Sequence, residues 1–301
     1  MIKNKAITYV ITVYVVSAIY SLIYFIVPYS TSNTTSMMVV SFYMFIPLLC
    51  SIFLSKFVYK ESISVNIRLK FKWNWWYLAA VLIPVILGYL SFLIALLLPG
   101  VQLDPEMSSI MDKFSGMMQP EQMEKARQQM KQMSNDFKTE YFYLITGLIN
   151  AIIFGATINA VFGFGEEAGW RGFLLNSLKD KGFYKASIIT GIVWGIWHLP
   201  VVIQGHNYGQ YRIAGIFMMT LWTVLLSPLF TYVVYKTDSV IAAAVFHGVL
   251  NAVPGIAIAY IKGGNELTTG ITGLSGMISL LILNVIIFVY DRFFAKKKII
   301  I

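Results

Sequence analysis

The chain has 301 residues, of which 57% are hydrophobic and 12% charged, with a formal net charge of +9. A soluble protein averages roughly 25% charged residues, so this composition excludes both a soluble globular fold and a disordered chain. The single cysteine, Cys50, excludes an internal disulfide, a paired-thiol redox centre and a cysteine-rich zinc site. The basic residues flank apolar runs instead of forming a face with interleaved aromatics, which argues against nucleic acid as a partner.

A bilayer core of roughly 30 Å needs about 20 apolar residues per helix. Apolar runs at 6–28, 37–58, 76–98, 141–164, 183–203, 213–235, 240–260 and 270–290 therefore predict an all-α, polytopic membrane bundle of about eight transmembrane helices. The first run is too long for a cleavable signal peptide, and no globular domain follows Pro28-Tyr29-Ser30. The organisation expected is an N-terminal three-span region with a long outer loop (1–140), a core (141–260), and a last span with a basic tail (261–301).

Lysine and arginine placement orients the bundle. With the N terminus in the cytoplasm, 16 of the 23 basic residues fall on the inner side, among them Lys56, Arg68, Lys179, Lys236 and Lys296 to Lys298. Both termini are then cytoplasmic, and the plasma membrane is the expected location. Residues 60–75 alternate apolar and polar, which predicts an extended segment at the inner headgroup level before Trp73, Trp75 and Trp76. In the outer loop, Met123, Ala126, Met130, Met133 and Phe137 recur at helical spacing after Pro120, which predicts a short amphipathic helix. A packing role for it is favoured over a lid or an outer docking site.

Ionisable groups inside a span are costly and mark function by default. Of the 14 acidic residues, only Glu166 and Glu167 lie deep in an apolar run, and that helix is expected to continue past them to about Leu178. Glu167 and Arg171 are four apart and share a helix face, so the arginine can neutralise that carboxylate. Glu166 points about 100° away and has no local partner. Trp194 and His198 form a second pair one turn apart, and His247 and Asn251 a third. Gly165 and Gly169, Gly191 and Gly195, and Ala244 and Gly248 are each four apart, a spacing that lets membrane helices approach closely. Glu, His, His and Asn could thus share one cavity, with His206 expected elsewhere because its loop exits on the outer side.

A carboxylate, two imidazoles and an amide inside a bilayer suit hydrolysis: a base for water, a group to orient it and donors for an oxyanion. Glu166, His198 and His247 are equally a two-His, one-Glu zinc set with an open position. The chain has no H-E-x-x-H helix and no aspartate within a predicted span, which excludes that metalloprotease signature and a paired-aspartate mechanism. Gly273-Leu274-Ser275-Gly276 looks like a serine-protease motif, but no histidine follows His247, so Ser275 is read as packing, as is Cys50.

The ordered pattern Glu166-Glu167-x-x-x-Arg171, aromatic-x-x-x-His198 and His247-x-x-x-Asn251, on successive membrane helices, resembles the CPBP (Abi) family. That family comprises type II CAAX prenyl endopeptidases and bacteriocin-processing intramembrane proteases. The resemblance covers about 141–255 and implies that Glu166 activates water, His198 positions it, His247 and Asn251 hold the oxyanion, and Glu167 and Arg171 support them. The family's usual phenylalanine is Trp194 here, a change that conserves bulk. Zinc and metal-free mechanisms are both compatible with the motif. The substrate implied is a prenylated C-terminus, or a membrane-associated or leader peptide, cut near or within the inner half of the bilayer. The competing readings are a non-catalytic immunity or scaffold protein using the same cavity, and a proton-coupled transporter, for which no inverted repeat is visible.

Overall fold

The computed structural model describes residues 4–27, 34–105 and 139–300, with isolated positions of the intervening loop; for 139–144 and 146 only the backbone is described. The helix expected after Pro120 lies outside the described residues.

Asn4 caps the first helix, α1 (Lys5–Ser21), by accepting a hydrogen bond from the Ile7 amide. Then follow α2 (Thr34–Tyr43), α3 (Ile46–Phe53, prolonged by π-helical turns to Tyr59), the single turn α4 (Ile63–Asn66) and α5 (Trp76–Ala95). A short strand, β1 (Gln102–Leu103), pairs antiparallel with β2 (Ile261–Lys262). The core continues with α6 (Thr139–Phe154), α7 (Ala160–Glu167) and α8 (Leu175–Ser177). It then runs through α9 (Phe183–Trp197), α10 (Leu199–Ile203), α11 (Arg212–Thr237), α12 (Val240–Ala252) and α13 (Pro254–Ile258) to α14 (Leu274–Phe293).

Among the described residues seven helices are long and apolar enough to cross a membrane. The eighth apolar run, 183–203, is broken at His198. The His198 amide closes a tight turn on the Gly195 carbonyl, and Pro200, which has no N–H to give, opens α10. By contrast α6, α7 and α8 form one helical run joined by π-helical turns at Gly155–Asn159 and Ala168–Leu174. The helix therefore does continue past the glutamates as expected, with a wide turn directly after Glu167; such turns recur at functional sites.

The 60–75 segment corrects an expectation. It is one helical turn and coil instead of an extended strand, and Arg68 takes a left-handed conformation (φ 55°). Its apolar residues divide by depth: Ile67 is buried under α7, whereas Trp73 and Trp75 are exposed. Among the described residues the segment pairs with no strand.

Backbone approaches hold the core together. A Cβ on Gly155 would stand 2.6 Å from the Val249 Cα, and one on Gly163 would stand 2.9 Å from the Ala244 carbonyl. The α6–α7 run thus lies directly on α12, which carries His247. The pairs Gly165/Gly169 and Gly191/Gly195 serve other seams, the first against Met44 to Pro47 at the start of α3 and Tyr9 of α1, the second against α11.

The bundle has two chemically different ends. At one, Lys5 pairs with Glu61, Arg68 and Lys70 pair with Asp238, and Asn74 donates to the Lys236 carbonyl. There Asp291, fully buried, accepts from the Tyr232 hydroxyl (2.8 Å) and from the Ile299 and Ile300 amides of the tail. At the other end lie the β1–β2 pair and a contact from the Tyr208 hydroxyl to the Thr272 carbonyl.

Candidate active site

Glu166 and Glu167 close α7, 3% and 0% exposed. Glu167 is held by two cations or potential cations. Arg171 Nη1 lies 3.2 Å from its Oε1 and 3.1 Å from its Oε2, and His247 Nδ1 lies 2.7 Å from Oε1. Arg171 is itself fixed: Nη2 donates to Ser227 Oγ at 3.0 Å, and its guanidinium lies between the rings of Trp194 (4.3 Å) and Phe230 (4.2 Å). The expected i,i+4 pair is therefore present, and the structure adds His247 and Ser227 to it.

Glu166 does have a partner, though not a local one. The Trp194 indole Nε1 donates to Glu166 Oε2 at 2.7 Å. Trp194 also gives its backbone carbonyl to His198 Nδ1 at 2.8 Å, and its ring centroid lies 5.5 Å from that of His198 and 5.7 Å from that of His247. One side chain thus touches the carboxylate, both imidazoles and the guanidinium. Its sequence signal was a tryptophan where the related pattern has phenylalanine; bulk was the property read from it, and the N–H is the property used here.

These contacts fix tautomers. A carbonyl only accepts, so His198 carries its proton on Nδ1 and keeps a lone pair on Nε2. His247 gives its Nδ1 proton to a carboxylate; its Nε2 can donate only when the ring is an imidazolium. Taking Glu166 and Glu167 as anions, Arg171 and an imidazolium His247 would bring the buried cluster to zero net charge.

Glu166, Trp194, His198, His247 and Asn251 all line one cavity of about 430 Å³. His206 lines it too, which corrects the expectation that its loop would carry it away. The helix break at His198 turns the following chain back over the cavity, so the loop after α10 becomes part of its wall. Met37, Val40 and Met44 of the second span, and Asn265, Glu266 and Thr269 of the segment before α14, are also in the wall, with no signal in the sequence patterns. Ser275 lies outside, buried against Ser91 Oγ (3.1 Å) and the Gly270 carbonyl, and Cys50 is buried in the core.

The zinc reading can be tested on donors. Holding each Nδ1 on a carbonyl or carboxylate is how proteins present Nε2 to a metal. However, among the described residues no group of three His, Cys, Asp or Glu side chains is arranged to hold a metal ion. The donor types, two imidazoles and a carboxylate, are those of a zinc set.

Comparison with known proteins points the same way as the motifs. Residues 139–253 match the family described as type II CAAX prenyl endopeptidase Rce1-like, which bears out the resemblance. A stretch of 96 residues is 34% identical to CAAX prenyl protease 2 of Methanococcus maripaludis. It covers 29% of this chain and 34% of that protein, so the likeness spans about a third of the relative. All the residues named above from Glu166 to Asn251 fall inside the matched region.

Proposed function

We propose that this chain is an intramembrane endopeptidase of the plasma membrane, with both termini cytoplasmic, that cuts a peptide bond in a membrane-associated peptide. The observation that carries the reading is the meeting of Glu166, His198, His247 and Asn251 on one cavity buried in an apolar bundle. The likeness to a CAAX prenyl protease supports it.

The chemistry assigned to each group follows from its contacts. Water sits between Glu166 and His198 Nε2. Glu166 takes its proton as the oxygen attacks the scissile carbonyl carbon, and His198 accepts the second O–H, which aims the lone pair. The carbonyl π electrons move to oxygen, and this oxyanion is met by His247 Nε2–H and the Asn251 amide. Collapse breaks the C–N bond, and Glu166 returns its proton to the departing nitrogen. Glu167 stabilises the imidazolium that the oxyanion contact requires, and Arg171 forms an ion pair with Glu167.

Glu166→Gln is the direct test. It preserves shape and the contact to Trp194 but cannot accept a proton. Purified variant with a wild-type elution profile and no peptide cleavage supports the proposal. Full cleavage by that variant would show that Glu166 is not the general base, whereas wild type that cleaves no more than the variant would leave the cavity with a binding role.

A further inference from the structure

Among the described residues, the cavity lining extends toward one end of the bundle. Toward the basic end the interior beneath Glu166 is filled, with Trp170, Arg171 and Leu174 fully buried and Phe173 nearly so. The opposite wall is made by the loop carrying His206 and by Asn265 to Thr272, and Asn207 and Glu266 there are in contact with the surface. Met37 on α2, Asn251 and Pro254, which also line the cavity, are exposed.

Charge tells the two ends apart. In the described residues the closed end carries Lys5, Lys56, Lys60, Arg68, Lys70, Lys72 and the clusters at 179–185, 236 and 292–298. The open end carries Arg212 and Lys262, and the long loop on that side Lys125, paired with Glu121. Basic residues beside spans mark the cytoplasmic side. Glu166 lies 11 residues before the end of its helix at Ser177, roughly 16 Å at 1.5 Å per residue, near the middle of a bilayer core. The chemistry thus sits near mid-depth, and the access to it lies on the side away from the cytoplasm.

We infer that the site opens extracytoplasmically, and that its substrate is a peptide presented from the outer leaflet or the outside, not the prenylated C-terminus of a cytosolic protein. The part concerning the substrate rests on the protease reading above. The wall adds a preference. Its described lining holds Glu166 and Glu266 but no lysine or arginine, and its imidazolium, His247, is already paired with Glu167, so a neutral or cationic segment would enter more readily than a free C-terminal carboxylate.

The test uses the full chain with Cys50→Ala and one new cysteine: Lys262→Cys at the open end, Thr269→Cys in the cavity wall, or Lys72→Cys at the closed end. A membrane-impermeant maleimide should label the first two in intact cells and the third only after permeabilisation. The reverse pattern, or a Thr269→Cys that reacts only together with Lys72→Cys, overturns the inference. An unprenylated apolar fluorogenic peptide added outside intact cells should be cleaved by wild type and not by Glu166→Gln. If only a farnesylated C-terminal peptide given to inverted vesicles is cleaved, the inference falls and the protease reading stands. If the labelling is as expected and wild type cleaves neither peptide above Glu166→Gln, the protease reading falls and the outward cavity stands.

Discussion

Trp194 Nε1 donates to Glu166 Oε2 across 2.7 Å, from a helix 28 residues further along the chain. That one bond engages Oε2 of the proposed base. The carbonyl of the same residue fixes the tautomer of His198. Positioning of the proposed base and of the group that orients its water therefore comes from a single residue.

Trp194→Phe isolates the N–H, since it keeps an aromatic ring against Arg171 and restores the phenylalanine of the related pattern. A hydrogen bond to a charged group contributes about 1.5–3 kcal/mol, so kcat should fall about 10- to 100-fold with KM little changed. Steady-state kinetics on purified variant decides it. An unchanged kcat would show that the bond only packs the helix.

Glu167→Ala should damage folding as well as rate. It leaves Arg171 buried without a counter-charge, a cost of about 3–5 kcal/mol, and takes away the acceptor of His247 Nδ1. Glu167→Gln with Arg171→Met removes both charges while keeping the volume between Trp194 and Phe230. Its membrane expression should recover toward wild type while cleavage stays low, because the imidazolium has lost its counter-ion. If the double variant expresses less than Glu167→Ala alone, the two residues do not act as a charge-compensating unit.

The polar groups of the site were legible because a bilayer makes them conspicuous: Glu166, Glu167, Arg171, His198 and His247 stand out against an apolar background. The helix bearing the glutamates was legible because the residues from 141 to Leu178 are mostly apolar and hold no helix-breaking proline. What the patterns could not convey was contact between distant spans. Ser227 as a partner of Arg171 and the N–H of Trp194 reaching Glu166 depend on how α9 and α11 pack, not on spacing within either. His206 was misplaced for a related reason. A loop after a span reads as leaving the protein, whereas the break at His198 folds it back over the cavity. The 60–75 alternation misled because period two also arises in coil that simply divides its side chains between core and membrane surface.

Asn251 carries a smaller share of the proposed chemistry than Glu166 or either histidine, since it is one of two oxyanion donors. Asn251→Ala should lower kcat by about 10²–10³, whereas His198→Ala and His247→Ala should each abolish measurable cleavage. Overnight dialysis against a chelator should leave the wild-type rate unchanged, as the metal-free route requires. A loss restored by added zinc would replace that route with a metal-assisted one.

His206 lies between the spans, and burial pushes its pKa down to about 4 from 6.5. The folded protein thus keeps this ring neutral while the unfolded chain protonates it below about 6.5. The contribution to stability is fully present above 6.5 and is lost as pH falls through 4, because only the unfolded state gains the proton in that window. Melting temperature in detergent should therefore be flat from pH 8 to 7 and decline toward pH 4.5. His206→Gln should show a shallower decline over the same interval, whatever its melting temperature at pH 7. Comparing the two slopes separates the proton from the packing: equal slopes would mean that the acid sensitivity comes from other groups, and that His206 shapes the cavity wall without sensing pH.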